Sequence, residues 1–435
     1  PLHHLLLGDF GHPLVATSGN ISGEPVLTGN DSVMERLTPV VDAFLHHNRP
    51  IARPADDPVY RYINNQPRPL RLGRGNTPLE LELPCTLEQP VIATGGHMKN
   101  TVAIAWDNRV VISPHIGDLD SARSRAVFEQ TIADLQSLYQ VTAKAVICDA
   151  HPGYASTHWA RNSGLPVHRV LHHHAHAATA YDFGASGRPQ LIFTWDGTGY
   201  GDDGTLWGGE ALLGSPGQWT RVASLRPFYL PGGERAGREP WRSAAALCWE
   251  SGQVWQDLPA DAGLLQQAWE RRVNTPQSSA AGRLFDAAAA LTGLCTHASY
   301  EGQGPMLLEA AAGGYASAME LPLASASDGL LRTDWEPLLS MLCDHRRSVA
   351  ERAGCFHATL AEALHAQALA IRKAHGVTHV GLSGGVFQNR LLTAQAIGLL
   401  QASGFTVHLP SEIPVNDAGI CYGQVLESGL SGQSV

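Results

Sequence analysis

The chain predicts an α/β fold: a duplicated nucleotide-binding domain preceded by a piece of a second α/β domain. Three observations carry this expectation. A strand, a glycine turn and a hairpin return around residues 91–113 recur at 190–213. A late apolar strand over 377–382 runs into Ser383-Gly384-Gly385. Helical apolar spacing fills 120–140, 172–183, 280–294, 303–313 and 356–375.

Bulk properties narrow the function. A length of 435 residues implies two or three domains with ample buried core. The formal net charge of -10 argues against a broad nucleic-acid surface, which needs clustered Lys and Arg. No apolar run is long enough to span a bilayer. The seven cysteines form no CxxC pair, so neither a zinc finger nor a disulfide framework is indicated. With no signal peptide visible, a reduced cytoplasmic compartment is expected.

The elements follow in order. Residues 13–17 read as a short strand and 18–23 as a polar turn. Val33, Leu37, Val40, Val41 and Phe44 have helical spacing, which Pro39 divides into two short pieces. This block is too small for an independent core, so the chain is expected to begin in mid-domain. Proline density over 68–84 reads as a linker, which places the blocks at 1–78 and 90–435 with 79–89 between them. Strand 91–94 ends in Gly95-Gly96, and the strands at 101–106 and 109–113 flank an Asp107-Asn108 turn. In the second copy, 191–195 runs into a polar loop at Asp196-Gly197-Thr198-Gly199, turns at 201–204 and returns over 206–213. Two such loops facing across a cleft hold phosphates through backbone N–H groups, and a third, opening a helix, holds the adenosine. Actin-like, sugar-kinase-like and heat-shock-protein-like (ASKHA) domains need this arrangement.

Several residues are candidates for chemistry. His172 and His176, in His172-His173-His174-Ala175-His176, lie four apart and share one helix face. With Asp196 from a strand end, and Asp417 as a fourth ligand from the opposite lobe, they make a mixed N/O set for a divalent ion. A His-rich helix start without metal satisfies the same spacing. A zincin is excluded, because its Glu after the first His is here His173. Lys99 after Gly95-Gly96 suits a phosphate or carbamoyl oxygen, or is a solvated hairpin lysine. Gly384 and Gly385 suit an anion at a helix start, or are a tight αβ connection. Arg283 and Asp286 hold a ribose or each other.

Together these residues resemble the HypF-type hydrogenase-maturation carbamoyltransferases over nearly the whole chain. Residues 17–25 and 47–57 are similar to the C-terminal part of their YrdC-like domain. Lys99-Asn100-Thr101, His115-Ile116-Gly117-Asp118-Leu119, 172–176, 196–201, Glu239-Pro240-Trp241-Arg242, 282–286, Tyr300-Glu301-Gly302-Gln303 and 383–389 are similar to their TsaD-like domain. The resemblance implies that the first domain makes carbamoyl adenylate from carbamoyl phosphate and ATP, with Mg. The second then passes the carbamoyl group to the C-terminal cysteine of the partner HypE, the precursor of hydrogenase cyanide ligands. It also implies site roles. His172, His176, Asp196 and Asp417 bind a metal, Zn or Fe. Lys99, His172 and Asp196 are catalytic. Lys99, Asn100, Gly197, Thr198, Gly199, Gly282, Asp286, Gly384, Gly385 and Asn389 contact nucleotide. Ser18, Asn20 and Arg53 belong to the adenylation site. Neither nucleic acid nor membrane is implied as a partner.

The family's acylphosphatase-like domain, its Cys-rich segment and the first part of its YrdC-like domain have no counterpart in these residues. The chain is therefore expected to use carbamoyl adenylate without making it. Two other readings remain: a tRNA-modifying or small-molecule O-carbamoylating relative, disfavoured for tRNA by the acidic charge, and a non-catalytic nucleotide-binding scaffold.

Overall fold

The computed structural model describes residues 2–185, 189–259, 262–313 and 316–431. Its body is two sheets with one topology. In the first, β1 (Val91–Ala93), β2 (Ala103–Trp106) and β3 (Arg109–Ile112) form an antiparallel meander, and β4 (Ala145–Asp149) and β5 (Val167–Val170) add in parallel beside β1. In the second, β6 (Gln190–Tyr200), β7 (Leu206–Ser215) and β8 (Gln218–Leu225) repeat the meander, and β9 (His379–Ser383) and β10 (Thr406–His408) add beside β6. The spatial orders β3-β2-β1-β4-β5 and β8-β7-β6-β9-β10 are therefore the same design twice.

Local chemistry explains the elements. Ala-Val-Ile-Cys over β4 is a continuous apolar run, as a strand covered on both faces requires. Asp107 turns the first hairpin at φ 49°. Helix α1 (Ala122–Tyr139), capped by the Ser121 hydroxyl, covers the first sheet with Phe128, Ile132 and Leu135. Helix α2 (His172–Thr179) is buried along almost its whole length. Helix α3 (Ala281–Leu291) is buried throughout, and α4 (Gln303–Ala311) follows it. Helix α5 (Val349–His375) begins in a Ser348/Glu351 capping box and stops at Gly376, φ 71°. Helix α6 (Arg390–Ala402) is capped by Asn389, and α7 (Ile420–Leu430) closes the described chain.

The structure corrects several expectations. Residues 13–17 pair with no strand among the described residues, and Val15 is 97% exposed. Only the first of the two helical pieces forms, at Asn30–Leu37. The stretch expected as a linker, 68–84, carries the end of one strand and the whole of another instead. Val59–Ile63 and Gln66–Arg71 make a hairpin, and Leu79–Glu82 is the edge strand of the first sheet, paired to β3. The hairpin turns on Asn64 and Asn65, at φ 49° and 58°, the two left-handed residues that a type I′ turn needs. Residues 196–200 are not a loop but the continuation of β6, with the irregularity displaced onto Trp207/Gly209. Helix α2 ends at Thr179, short of 183. Ser383-Gly384-Gly385 opens a short 3-10 turn, Gly385–Gln388, before α6. No described helix is long and apolar enough to cross a membrane.

One buried acid in this frame makes stability depend on pH. Glu427 on α7 accepts the Trp219 indole N–H at 2.5 Å and the Gly217 N–H at 3.1 Å, and burial pushes its carboxyl up to about 7. Folded protein then keeps a proton that unfolded chain loses above pH 4.5, so stability falls as pH rises through that window. The shift corresponds to about 3 kcal/mol. We expect the melting temperature of wild type to drop more between pH 5 and 8 than that of Glu427→Gln. Parallel drops would contradict the assignment.

Candidate active site

The four predicted ligands come from three elements and meet. His172 and His176 project from one face of α2, Asp196 from β6, and Asp417 from the turn Asp417–Gly419 that leads into α7. One donor atom from each lies within 4.8 Å of all the others. Asp196 Oδ2 is 3.3 Å from the Nε2 of both imidazoles, and Asp417 Oδ1 is 3.8 Å and 3.7 Å from them. Each Nδ1 is engaged from behind. His172 Nδ1 donates to Asp149 Oδ2 at 2.8 Å, and His176 Nδ1 shares a hydrogen bond with Ser383 Oγ at 3.3 Å. Both Nε2 atoms therefore turn toward the carboxylates.

The electrostatics fit a cation. His176 Nε2 is buried and, among the described residues, makes no well-aligned hydrogen bond despite its nearness to Asp196. Burial lowers the affinity of His172 for a proton, but its bonds to Asp149, Asp196 and Asp417 outweigh this and raise its pKa well above the ordinary value. Burial likewise opposes ionisation of Asp196, yet the two imidazoles hold its pKa well below the usual range. Protons thus stand where a divalent ion would balance the charge, so metal affinity should weaken as pH falls. An orphaned imidazole lone pair and two carboxylates on one point fit such an ion.

A cleft opens on this cluster, lined by Asp196, Asp417, Lys99, Gly197, Gly282, Arg283, Asp286, Glu301, Gly385 and Asn389 among others. Gly385 N–H donates to Asp196 Oδ1 at 3.0 Å, so the late glycine turn fixes the carboxylate. A Cβ on Gly282 would sit 2.8 Å from the Gly197 Cα, which keeps the α3 start close against β6. Asp286 pairs with Arg283 at 3.0 Å, and burial pushes its carboxyl up to about 7. Burial opposes the charge on Lys99, but Glu301, Asp417 and Asp196 surround it and raise its pKa.

Other expected contacts lie outside the cleft or are committed to the protein itself. Asn100 is buried, and its amide donates to the Thr94 and Gly96 carbonyls, shaping the loop that carries Lys99. Thr198 is exposed away from the lining residues. Gly199 makes room for His173, whose ring would lie 2.5 Å from a Cβ. Gly384, at φ 102°, lies against the Trp195 carbonyl, 2.2 Å from where its Cβ would be. Asn389 lines the cleft, but its amide is committed to Leu392 N–H and His357. Ser18 and Asn20 bond each other within the 18–23 turn, and Arg53 pairs with Asp134 on α1. None of those three reaches the cleft.

Sequence reasoning missed Asp149, Arg61, Glu309 and Asn416. Asp149 had a readable signal, a carboxylate ending an all-apolar strand. We expect Asp149→Asn to weaken metal affinity by about 10- to 100-fold with the fold kept, because the His172 tautomer is no longer fixed. Metal titration of the purified variant measures this.

Comparison with known proteins agrees with this architecture. Residues 192–424 match the family described as "Carbamoyltransferase, Kae1-like Domain, second subdomain". Residues 86–181 match "HypF Kae1-like domain", and 1–73 match the Sua5/YciO/YrdC family, described as "Telomere recombination". Carbamoyltransferase HypF of Synechocystis sp. is 39% identical over 98% of this chain and 58% of its own. A carbamoyltransferase HypF homolog of Cupriavidus necator is 36% identical over 77% of this chain and 90% of its own. The crystal structure of full-length HypF in the phosphate- and nucleotide-bound form superposes with a TM-score of 0.94 at 32% identity, covering all of this chain and 59% of that one. This chain thus spans less than three fifths of full-length relatives. It belongs to the HypF carbamoyltransferase family.

Proposed function

We propose that the chain transfers the carbamoyl group of carbamoyl adenylate to the C-terminal cysteine of a HypE-type protein, in the maturation of [NiFe] hydrogenase in the cytoplasm. The observation that carries this is the buried His172, His176, Asp196 and Asp417 cluster at the floor of a glycine-lined cleft, in a chain of this family. The cleft suits a nucleotide: Gly197, Gly282 and Gly385 leave room for close approach, Lys99 supplies positive charge, and Asp286 is an acceptor for ribose hydroxyls. A divalent ion held by the four ligands, zinc or iron, would supply Lewis-acid polarisation of the carbamoyl carbonyl and charge for the phosphate. In the transfer, the acceptor thiolate forms a C–S bond at the carbamoyl carbon, the bond from that carbon to the phosphate oxygen breaks, and AMP departs. Lys99 offsets the charge that develops on the leaving phosphate.

The first block, 1–78 in this reading, belongs to the YrdC-like half. Ser18, Asn20 and Arg53 there belong to the adenylation site, which in a whole YrdC-like domain would use ATP, Mg and carbamoyl phosphate. Incubation of the chain with synthetic carbamoyl adenylate and the partner protein tests the reading. We expect a carbamoyl group on the partner's terminal cysteine by mass spectrometry. Hydrolysis alone, with the cysteine unmodified, would overturn it.

A further inference from the structure

The hairpin Val59–Ile63/Gln66–Arg71, whose second strand runs into the stretch expected as a linker, reaches into the cleft. Arg61, from its first strand, and Leu70, from its second, line the cleft beside Asp286, Glu301 and Asp417. Arg61 holds Glu309 of α4 with two parallel bonds, Nη1 at 2.9 Å and Nη2 at 2.7 Å, and Nη1 also donates to the Gln388 carbonyl at 3.0 Å. Glu309 meanwhile accepts the Arg390 and Leu391 N–H groups at 3.0 and 3.3 Å, at the start of α6. One guanidinium thus ties α4 to the glycine turn and the α6 start, two separate walls of the cleft. The bidentate geometry is one that lysine cannot reproduce.

A second, independent contact points the same way. Asn416, whose neighbour Asp417 belongs to the buried cluster, donates from Nδ2 to the Leu70 carbonyl at 2.9 Å and to Gln388 Oε1 at 3.0 Å, while its Oδ1 caps Ala418 N–H. Arg68 fastens the hairpin further through the Leu409 and Pro410 carbonyls at 2.7 and 2.6 Å. Its Pro67 and Pro69 face Tyr62 and Tyr60 in a two-stranded sheet, where a missing N–H leaves no third strand unpaired.

We propose that this hairpin is a working wall of the nucleotide cleft, with Arg61 as a positioning residue, so that docking of the first block and occupancy of the cleft are thermodynamically linked. This rests on the nucleotide reading above. Linkage is reciprocal: if the docked hairpin tightens nucleotide binding by some factor, nucleotide tightens docking by the same factor. A merely structural contact would lower the melting temperature and leave nucleotide affinity alone.

The test uses the full chain with ADP as probe. ADP affinity is measured for wild type, Arg61→Ala and Arg61→Lys, alongside hydrogen exchange over 59–71 with and without ADP. We expect Arg61→Ala to weaken ADP at least tenfold, Arg61→Lys to fall between, and ADP to slow exchange of the hairpin in wild type but not in Arg61→Ala. Metal affinity measured on the same samples should be unchanged, which also reports that the variant is folded. Equal ADP affinity in wild type and Arg61→Ala, or hairpin exchange indifferent to ADP, overturns the linkage and leaves the nucleotide reading standing. No ADP binding to wild type overturns both.

Discussion

His176→Ala is expected to lose its metal and at least a thousandfold of its transfer rate while keeping its fold. His176 is 1% exposed, and its Nε2 faces Asp196 and Asp417 at 3.3 and 3.7 Å, the position of a third or fourth ligand to a shared cation. Removing it leaves Asp196 and Asp417 facing one imidazole, with less opposite charge to hold two buried carboxylates. Withdrawal of Lewis-acid stabilisation from a transfer step costs several kcal/mol, and about 4 kcal/mol is already a factor near a thousand. The fold should survive, because the ring's other nitrogen makes a single 3.3 Å bond to Ser383 and the helix keeps its packed alanines, the His172–Asp149 bond and the Thr179–Ser383 bond. Metal content by elemental analysis and transfer by mass spectrometry read the two effects separately. A variant that retains both metal and rate would remove His176 from the site.

The second large effect is expected at a residue that touches no ligand. Gly423 on α7 lies against α2 where a Cβ would stand 2.0 Å from the Ala175 carbonyl oxygen and 2.6 Å from its carbon. Both atoms are backbone and cannot rotate aside. Gly423→Ala must therefore push α2 away, and Ala175 is the residue immediately before His176 and three after His172. Overpacking of this kind costs about 1–3 kcal/mol, and a shift of a few tenths of an ångström spoils a four-ligand site as well. We expect Gly423→Ala to lower the melting temperature and metal affinity together. Gly398, inside α6 with nothing within 4 Å of its would-be Cβ, is the control. Gly398→Ala should stabilise by roughly 0.5–1 kcal/mol and leave metal binding alone. A Gly423→Ala protein with native stability and affinity would contradict the packing account.

The parts of the molecule that were legible in the sequence share a cause. His172 and His176 could be paired because helical periodicity is local, and both meanders could be found because their turns and apolar runs recur at similar spacing. The contributions of Asp149, Arg61 and Asn416 could not be read the same way. Asp149 ends an apolar strand, a signal that marks a carboxylate but not its partner His172, while Arg61 reaches Glu309 across 248 positions and Asn416 reaches Leu70 across 346, pairings that no local pattern encodes. The glycines divide for a physical reason too. Gly197, Gly282 and Gly385 border the cleft, whereas Gly199 and Gly384 give space to His173 and to the Trp195 carbonyl. Spacing alone does not separate a glycine needed for ligand approach from one needed for packing. The 59–71 hairpin was hidden by its prolines: Pro67 and Pro69 suggest connecting chain, and the Asn64-Asn65 turn outweighs them.

The central claim is that one buried four-ligand centre serves carbamoyl transfer. The most direct measurement is the transfer rate to the partner's C-terminal cysteine from synthetic carbamoyl adenylate, on chelator-stripped chain before and after one equivalent of zinc or iron(II) is returned. The account predicts negligible transfer without metal and recovery at about one metal per chain, with no recovery in His176→Ala. Equal rates with and without metal in the wild-type chain would contradict it.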